Sequence, residues 1–235
     1  MEKIAKIFQT IVFFPIYAIL KVVFNFKIIG HENLKGMKNK AIIFAANHVH
    51  PLDGIITAVA IAMPWNGFKA GEFLPVRYLA FEDYFKWIRF RRAFAFPFSP
   101  LAAGWFRLSA CIPVRSRKKD EIGKISLINV LTNAIDALKN GQKLFIFPEG
   151  KMSKNGKLQR GKKGVACLQK VSGAPVVPMA IIGSYNMGKN FWRYVLRKES
   201  LVVKIGTPIL LFNPSPNRPF EEAADMVMDN IKELM

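Results

Sequence analysis

Ala41-Ile42-Ile43-Phe44-Ala45-Ala46-Asn47-His48-Val49-His50-Pro51-Leu52-Asp53 is the stretch on which the reading of this chain turns. Six small or apolar residues make a compact run of strand length that ends at Asn-His. Asp53 then opens an apolar segment to Met63 that reads as a helix, stopped before Pro64. A strand, a tight connection and a helix are thus written into 23 residues, 41–63. The same unit sets a histidine and an aspartate five positions apart, with His48 at the strand end and Asp53 in the first turn of the helix. A histidine that takes a proton needs a carboxylate to hold its tautomer and stabilise the imidazolium. In a chain with three histidines such a pair also arises by chance. Its weight depends on what lines up with it.

Working outward, strand and helix patterns alternate. Phe26–Ile29, Ala110–Val114, Lys143–Phe147, Val176–Ile182 and Leu201–Ile205 read as further strands. In Asp120–Lys139, Ile122, Ile125, Ile128, Leu131, Ile135 and Leu138 recur at spacings of three and four, and Asn140-Gly141 ends the helix. Gly164–Val171 and Phe220–Leu234 read as two more helices, while residues 65–108 read as irregular and aromatic. Alternation of this kind predicts an α/β fold. We expect one domain, residues 26–235, with a central mostly parallel or mixed sheet flanked by helices.

The 235 residues are 51% apolar, enough for one large core. The net charge of +19, from 35 Lys and Arg against 16 Asp and Glu, demands a polyanionic partner. Twenty phenylalanines favour a membrane surface over nucleic acid, and no aromatic RNA-binding strand signature is present. Between residues 77 and 119, ten basic residues interleave with Phe81, Phe85, Trp87, Phe90, Phe94, Phe96, Phe98, Trp105 and Phe106. That mixture reads as a lipid-facing or acyl-chain-lining surface. Cys111 and Cys167 sit in separate apolar segments and read as reduced core thiols, with neither disulfide nor metal spacing.

The N-terminal segment, residues 1–25, carries an uncharged run from Ile7 to Leu20 between Lys6 and Lys21. Its fourteen residues fall short of a spanning helix, and Pro15 should kink or break it. No small-residue cleavage site follows, so a secretory signal is not expected. We expect one kinked helix or two short ones lying in the membrane interface.

Three further signatures follow the His-Asp block in order. They are Ile112-Pro113-Val114-Arg115, Phe147-Pro148-Glu149-Gly150, and Val177-Pro178 within a hydrophobic strand. Together the four blocks resemble those of the glycerolipid acyltransferases, most closely the bacterial 1-acylglycerol-3-phosphate acyltransferases, from about residue 20 to about residue 210. The resemblance implies a glycerol-3-phosphate acyltransferase-like fold. It also implies transfer of an acyl group from acyl-CoA or acyl-ACP (acyl carrier protein) to lysophosphatidic acid, giving phosphatidic acid, at the cytoplasmic face of the cell membrane by a monotopic or peripheral protein. No cofactor beyond the acyl-carrier co-substrate is expected, and no metal.

By the same resemblance His48 and Asp53 are the catalytic pair, and Glu149 and Gly150 belong to the acceptor site. Asn47, Lys151 and Ser153 join them as expected binding residues, with Asn47 tying down the turn and His50 lining the pocket. Two departures bear on the acceptor. Met152 stands where the family has an acceptor-binding Arg, and Arg115-Ser116-Arg117 replaces an acid followed by Arg. Arg115 or Arg117 can grip the phosphate, as a guanidinium fits two oxygens at once. The basic loop 151–163 adds Lys151, Lys154, Lys157, Arg160, Lys162 and Lys163. From the residues alone two other readings stay open. One is an acyltransferase of the same superfamily with a lysophospholipid, glycolipid or amine acceptor. The other is a non-catalytic membrane-binding protein.

Overall fold

The protein is described by a computed structural model covering residues 2–63, 71–81, 111–114, 126–185 and 187–235. Arg115, Arg117 and most of the aromatic-basic stretch lie outside the described residues. The strands are β1 (Lys27–Ile29), β2 (Ile42–Ala46), β3 (Val76–Phe81), β4 (Ile112–Val114), β5 (Lys143–Ile146), β6 (Val176–Ile182) and β7 (Val202–Ile205). The helices are α1 (Glu2–Phe24), α2 (Asp53–Ala62), α3 (Leu127–Lys139), α4 (Gly164–Ser172), α5 (Phe191–Val195) and α6 (Phe220–Leu234), with a 3₁₀ turn at His31–Leu34.

The strands form one sheet in the order β1-β7-β6-β2-β5-β3-β4. Five run parallel, from β6 to β4, and β7 turns antiparallel to β6 with β1 parallel beside it. The sheet is therefore mixed, as expected. β2 lies at its centre, and its apolar run without polar alternation follows from burial on both faces. Ile42, Phe44 and Ala46 enter one core with residues of α1 and α2; Ile43 and Ala45 enter the other with α3, α4 and α6. Helices on both faces complete three layers.

Two expectations change. Residues 76–81, read as irregular, form β3, held between β5 and β4. Arg77 interrupts its apolar pattern, and pairing on both sides outweighs that weak local signal. The N-terminal segment is a single 23-residue helix that runs through Pro15. At about 1.5 Å per residue it is some 34 Å long. By length and composition Lys3–Phe24 is apolar enough to cross a membrane.

One side of α1 is nevertheless committed to the domain. Ala5, Gln9, Phe13 and Leu20 are buried, and the helix packs on α2 and α5. Gln9 donates from Nε2 to the Val76 carbonyl (2.9 Å) and accepts at Oε1 from the Val76 N–H (3.1 Å). Its amide thus completes the backbone pairing at the start of β3. On the opposite side Ile4, Ile7, Ile11, Phe14, Ile19 and Val22 are exposed, an apolar stripe at spacings of three to five. Gln9→Ala leaves a buried N–H and C=O of Val76 unpaired. At roughly 1–3 kcal/mol for a buried group left unsatisfied, we expect a clear drop in the thermal unfolding midpoint in detergent, whereas Ile7→Ala, on the exposed stripe, should leave it nearly unchanged.

Candidate functional site

β2 and β5 are neighbours in register, with Ala45 opposite Ile146, so both specific sequence blocks emerge side by side at the C-terminal edge of the parallel strands. That edge is where open α/β sheets bind ligands. The chain leaves β2 through Asn47. Its side chain pairs both ways with Ile181 of β6, donating to the carbonyl (3.0 Å) and accepting from the N–H (2.7 Å). Asn47 therefore extends the sheet by one residue instead of tying down its own turn.

His48 follows and is 20% exposed at its side chain, while Asp53 is fully buried. Asp53 Oδ2 lies 3.1 Å from His48 Nδ1 and accepts from the N–H groups of Val49 (2.7 Å) and His50 (2.6 Å). Three contacts on one oxygen close the turn. The ring contact suits the tautomer with its proton on Nδ1, in which Nε2 is the free acceptor. Asp53 opens α2, where the helix N-terminus favours a negative charge. The other oxygen, Oδ1, is buried without a hydrogen-bond partner among the described residues. His50 spends its Nδ1 on the Leu52 N–H at 3.2 Å.

The Phe-Pro-Glu-Gly block grips the same turn from β5. Phe147 stacks on the imidazole of His48, with ring centroids 3.9 Å apart and planes within 12°. Glu149 is buried. Its Oε1 accepts from the His48 backbone N–H (2.8 Å), and its Oε2 accepts from the Gln159 N–H (3.1 Å) and Nε2 (2.9 Å). Both oxygens of Glu149 are thus engaged inside the protein, joining the His48 turn to the loop 151–163. Gly150 turns with φ +64° beneath Lys162, whose Nζ would lie 2.8 Å from any added Cβ. Ser153 is buried, its N–H donating to the His48 carbonyl (2.7 Å) and its Oγ to the Lys157 carbonyl (2.7 Å).

Lys151 and Met152 are exposed in this loop, Met152 at 41%. Of its six cations, Arg160 pairs with Asp225 of α6 and Lys163 with Glu221. Lys151, Lys154, Lys157 and Lys162 form no ion pair among the described residues. Free cations are therefore concentrated beside the Phe-Pro-Glu-Gly turn. Neither cysteine offers a nucleophile here. Burial pushes the Cys111 thiol up to about 12 and raises that of Cys167, which is buried in α4.

Of the expected site residues, then, His48, Asp53, Asn47, Glu149, Gly150, Lys151 and Ser153 come together on one edge. Sequence reading overlooked Phe147 as a partner of the imidazole and Gln159 as a partner of Glu149. The first lay within a quoted block, and the second carried no signal ten positions downstream.

A family model for acyltransferases matches residues 25–182. The chain belongs to the acyltransferase family. It is 26% identical over 207 residues to the chloroplastic 1-acyl-sn-glycerol-3-phosphate acyltransferase LPAT1 of Arabidopsis thaliana, covering 88% of this chain and 48% of that protein. It is 32% identical over 84 residues to the chloroplastic 1-acyl-sn-glycerol-3-phosphate acyltransferase BAT2 of Brassica napus, 36% of this chain and 24% of that protein. It thus spans about half the length of the first and a quarter of the second. The crystal structure of the 1-acyl-sn-glycerophosphate acyltransferase PlsC from Thermotoga maritima has a similar fold, with a TM-score of 0.57 at 20% identity over 99% of this chain and 97% of that one.

Because Glu149 holds three donors in a buried place, Glu149→Ala should cost several kcal/mol, at roughly 1–3 for each donor left unsatisfied. Chemical denaturation of the variant against the wild type reads this directly. Lys151→Ala, at an exposed neighbouring position, should leave stability within error.

Proposed function

We propose that this acyltransferase-family chain moves a fatty acyl group from acyl-CoA or acyl-ACP to the free hydroxyl of 1-acyl-glycerol-3-phosphate, forming phosphatidic acid. The observation that carries this reading is the His48–Asp53 pair, closed by three contacts on one carboxylate oxygen at the ligand-binding edge of the sheet. The two plant relatives, named as acyltransferases for this acceptor, support the substrate.

In the proposed reaction the acceptor hydroxyl attacks the thioester carbonyl while His48 Nε2 takes its proton. Asp53 holds the imidazolium through Nδ1. The tetrahedral adduct collapses, the C–S bond breaks, and His48 returns the proton to the leaving thiolate. The products are the ester and a free thiol, with no acyl-enzyme. Direct attack suits a site where the nearby Ser153 hydroxyl is committed to a backbone carbonyl and both thiols are shifted up. Stacking on Phe147 keeps the imidazole in one plane throughout. Arg115 or Arg117 takes the acceptor phosphate, and the lysines of loop 151–163 that form no ion pair among the described residues raise the local positive potential that draws it in.

The apolar stripe of α1 supports our reading of a monotopic or peripheral enzyme, which we propose sits at the cytoplasmic face of the cell membrane. Fully burying one such side chain is worth about 1.5–3 kcal/mol. Half-immersion of the six therefore gives on the order of 5–9 kcal/mol, which makes α1 the principal anchor.

His48→Ala should lower acyl transfer by about 10²–10⁴-fold with unchanged circular dichroism, measured as thiol release from palmitoyl-CoA with lysophosphatidic acid. Asp53→Asn should be nearly as damaging. Activity of His48→Ala within a few-fold of wild type would end this mechanism.

Arg115→Ala or Arg117→Ala should raise KM for lysophosphatidic acid roughly ten- to a hundredfold, the worth of a charge-assisted phosphate contact, with little change in KM for the donor. Met152→Arg should tighten the same acceptor. If neither arginine matters and lysophosphatidylcholine is the better substrate, the acceptor is a lysophospholipid with a capped phosphate.

A further inference from the structure

A second amphipathic element stands at the same edge as His48. β6 ends at Ile182, one residue beyond the Asn47 pairing, and the chain turns through Gly183 into α5. Tyr194 points inward, buried in the core beside α1, and its hydroxyl donates to the Gly183 carbonyl. The opposite side of this short helix is apolar and uncovered. Phe191, Trp192, Val195 and Leu196 are all exposed, Trp192 at 71% and Leu196 at 62%. Their positions, one and four apart, form a single face.

The four side chains are contiguous, and a contiguous exposed apolar patch rimmed by polar residues marks a contact surface. The flanking charges say what covers it. Lys189, Arg193, Arg197 and Lys198 are exposed around it, against a single acid, Glu199, which Arg193 engages. Arg197 donates to Asn25 Oδ1 at the end of α1 (3.1 Å). Lys189 and Lys198 form no ion pair among the described residues. Aromatic and aliphatic side chains ringed by lysine and arginine fit the boundary of an anionic bilayer.

The element is also continuous with α1. Phe24 meets Phe191 edge-on at 6.0 Å and Tyr194 at 5.5 Å. The Leu201 N–H donates to the Phe24 carbonyl (3.0 Å), and Val202 pairs with Ile182 at the end of β6. Because β1 and β7 run opposite to the other strands, the C-terminal end of α1 and the whole of α5 lie at the edge that carries His48.

We infer that residues 189–198 form a second lipid contact, which lays the His48 edge of the sheet on an anionic phospholipid surface. The inference rests on the membrane placement proposed above and deepens it. α1 alone fixes only that the protein is held. A line of contact leaves rotation about its own axis free, and a second contact beside the site removes that freedom. An acceptor whose phosphate sits at headgroup level then meets the site without leaving the interface.

The test uses the full chain and vesicles of phosphatidylglycerol and phosphatidylcholine, without substrates. The fluorescence of Trp192 is isolated as the difference between the wild type and Trp192→Phe. We expect that difference spectrum to shift to the blue on phosphatidylglycerol vesicles, to lose several-fold in iodide quenching, and to be quenched by lipids brominated near the headgroup. Lys189→Glu combined with Lys198→Glu should weaken partition onto phosphatidylglycerol by about thirtyfold or more, at about 1 kcal/mol per cation lost near an anionic surface, and leave partition onto phosphatidylcholine unchanged. Both variants should keep wild-type circular dichroism and wild-type activity on detergent-dispersed substrate. If the protein floats with vesicles while Trp192 stays as open to iodide as in buffer, this inference fails and the membrane placement stands. If the protein does not float with vesicles of either composition, both fail. Trp192 shielded equally without lipid would mean that a second copy covers the face, which also overturns it.

Discussion

The Oδ2 atom of Asp53, buried and in contact with His48 Nδ1 and two backbone N–H groups, is the point from which the site is built. A buried carboxylate is costly unless donors surround it, and here the donors are the turn itself. The turn cannot open without stranding the charge. Nor can Asp53 move without releasing the imidazole. Glu149 repeats the device from the neighbouring strand, with one oxygen on the His48 N–H and the other on Gln159. Two internal carboxylates thus brace one histidine in a chain whose net charge is strongly positive.

These braces depend on the sheet beneath them. β2 and β5 are adjacent and in register, so two blocks a hundred residues apart arrive at the same height. Asn47 secures the third side by pairing with β6. The His48 backbone is therefore fixed through its N–H by Glu149, through its carbonyl by Ser153, and through its ring by Asp53 and Phe147. A side chain held this way has little conformational freedom left to lose when a ligand arrives.

Much of this was legible in the sequence, and the exceptions have physical reasons. β2, β5 and β6 stood out because central strands, buried on both faces, leave unbroken apolar runs. His48, Asp53 and Glu149 stood out because each lies in a short block just past an apolar strand, and the blocks follow one another in the order of the acyltransferases. β3 was missed because a strand that takes its stability from two neighbours needs little pattern of its own, and Arg77 and Tyr78 disguised it. α1 was expected as one helix kinked at Pro15 or as two short ones, and it forms one helix. It continues because Pro15 lies on the exposed side, while Phe13 and Leu20 on the other side hold the helix to the domain. A proline in a helix interior costs about 3 kcal/mol, and burying two such large apolar side chains offsets it. Gln159 was invisible because its role exists only once loop 151–163 has folded over Glu149.

The amide of Gln9 carries a practical lesson. Membrane enzymes of this size are often made tractable by cutting away the apolar segment at the start of the chain. In this protein that segment supplies part of the sheet's own hydrogen bonding at Val76 and one wall of its core. The exposed apolar stripe and the scaffold belong to the same helix, divided lengthwise instead of end to end. A water-soluble version would have to keep the helix and repaint its outer side with polar residues, leaving Ala5, Gln9, Phe13 and Leu20 in place.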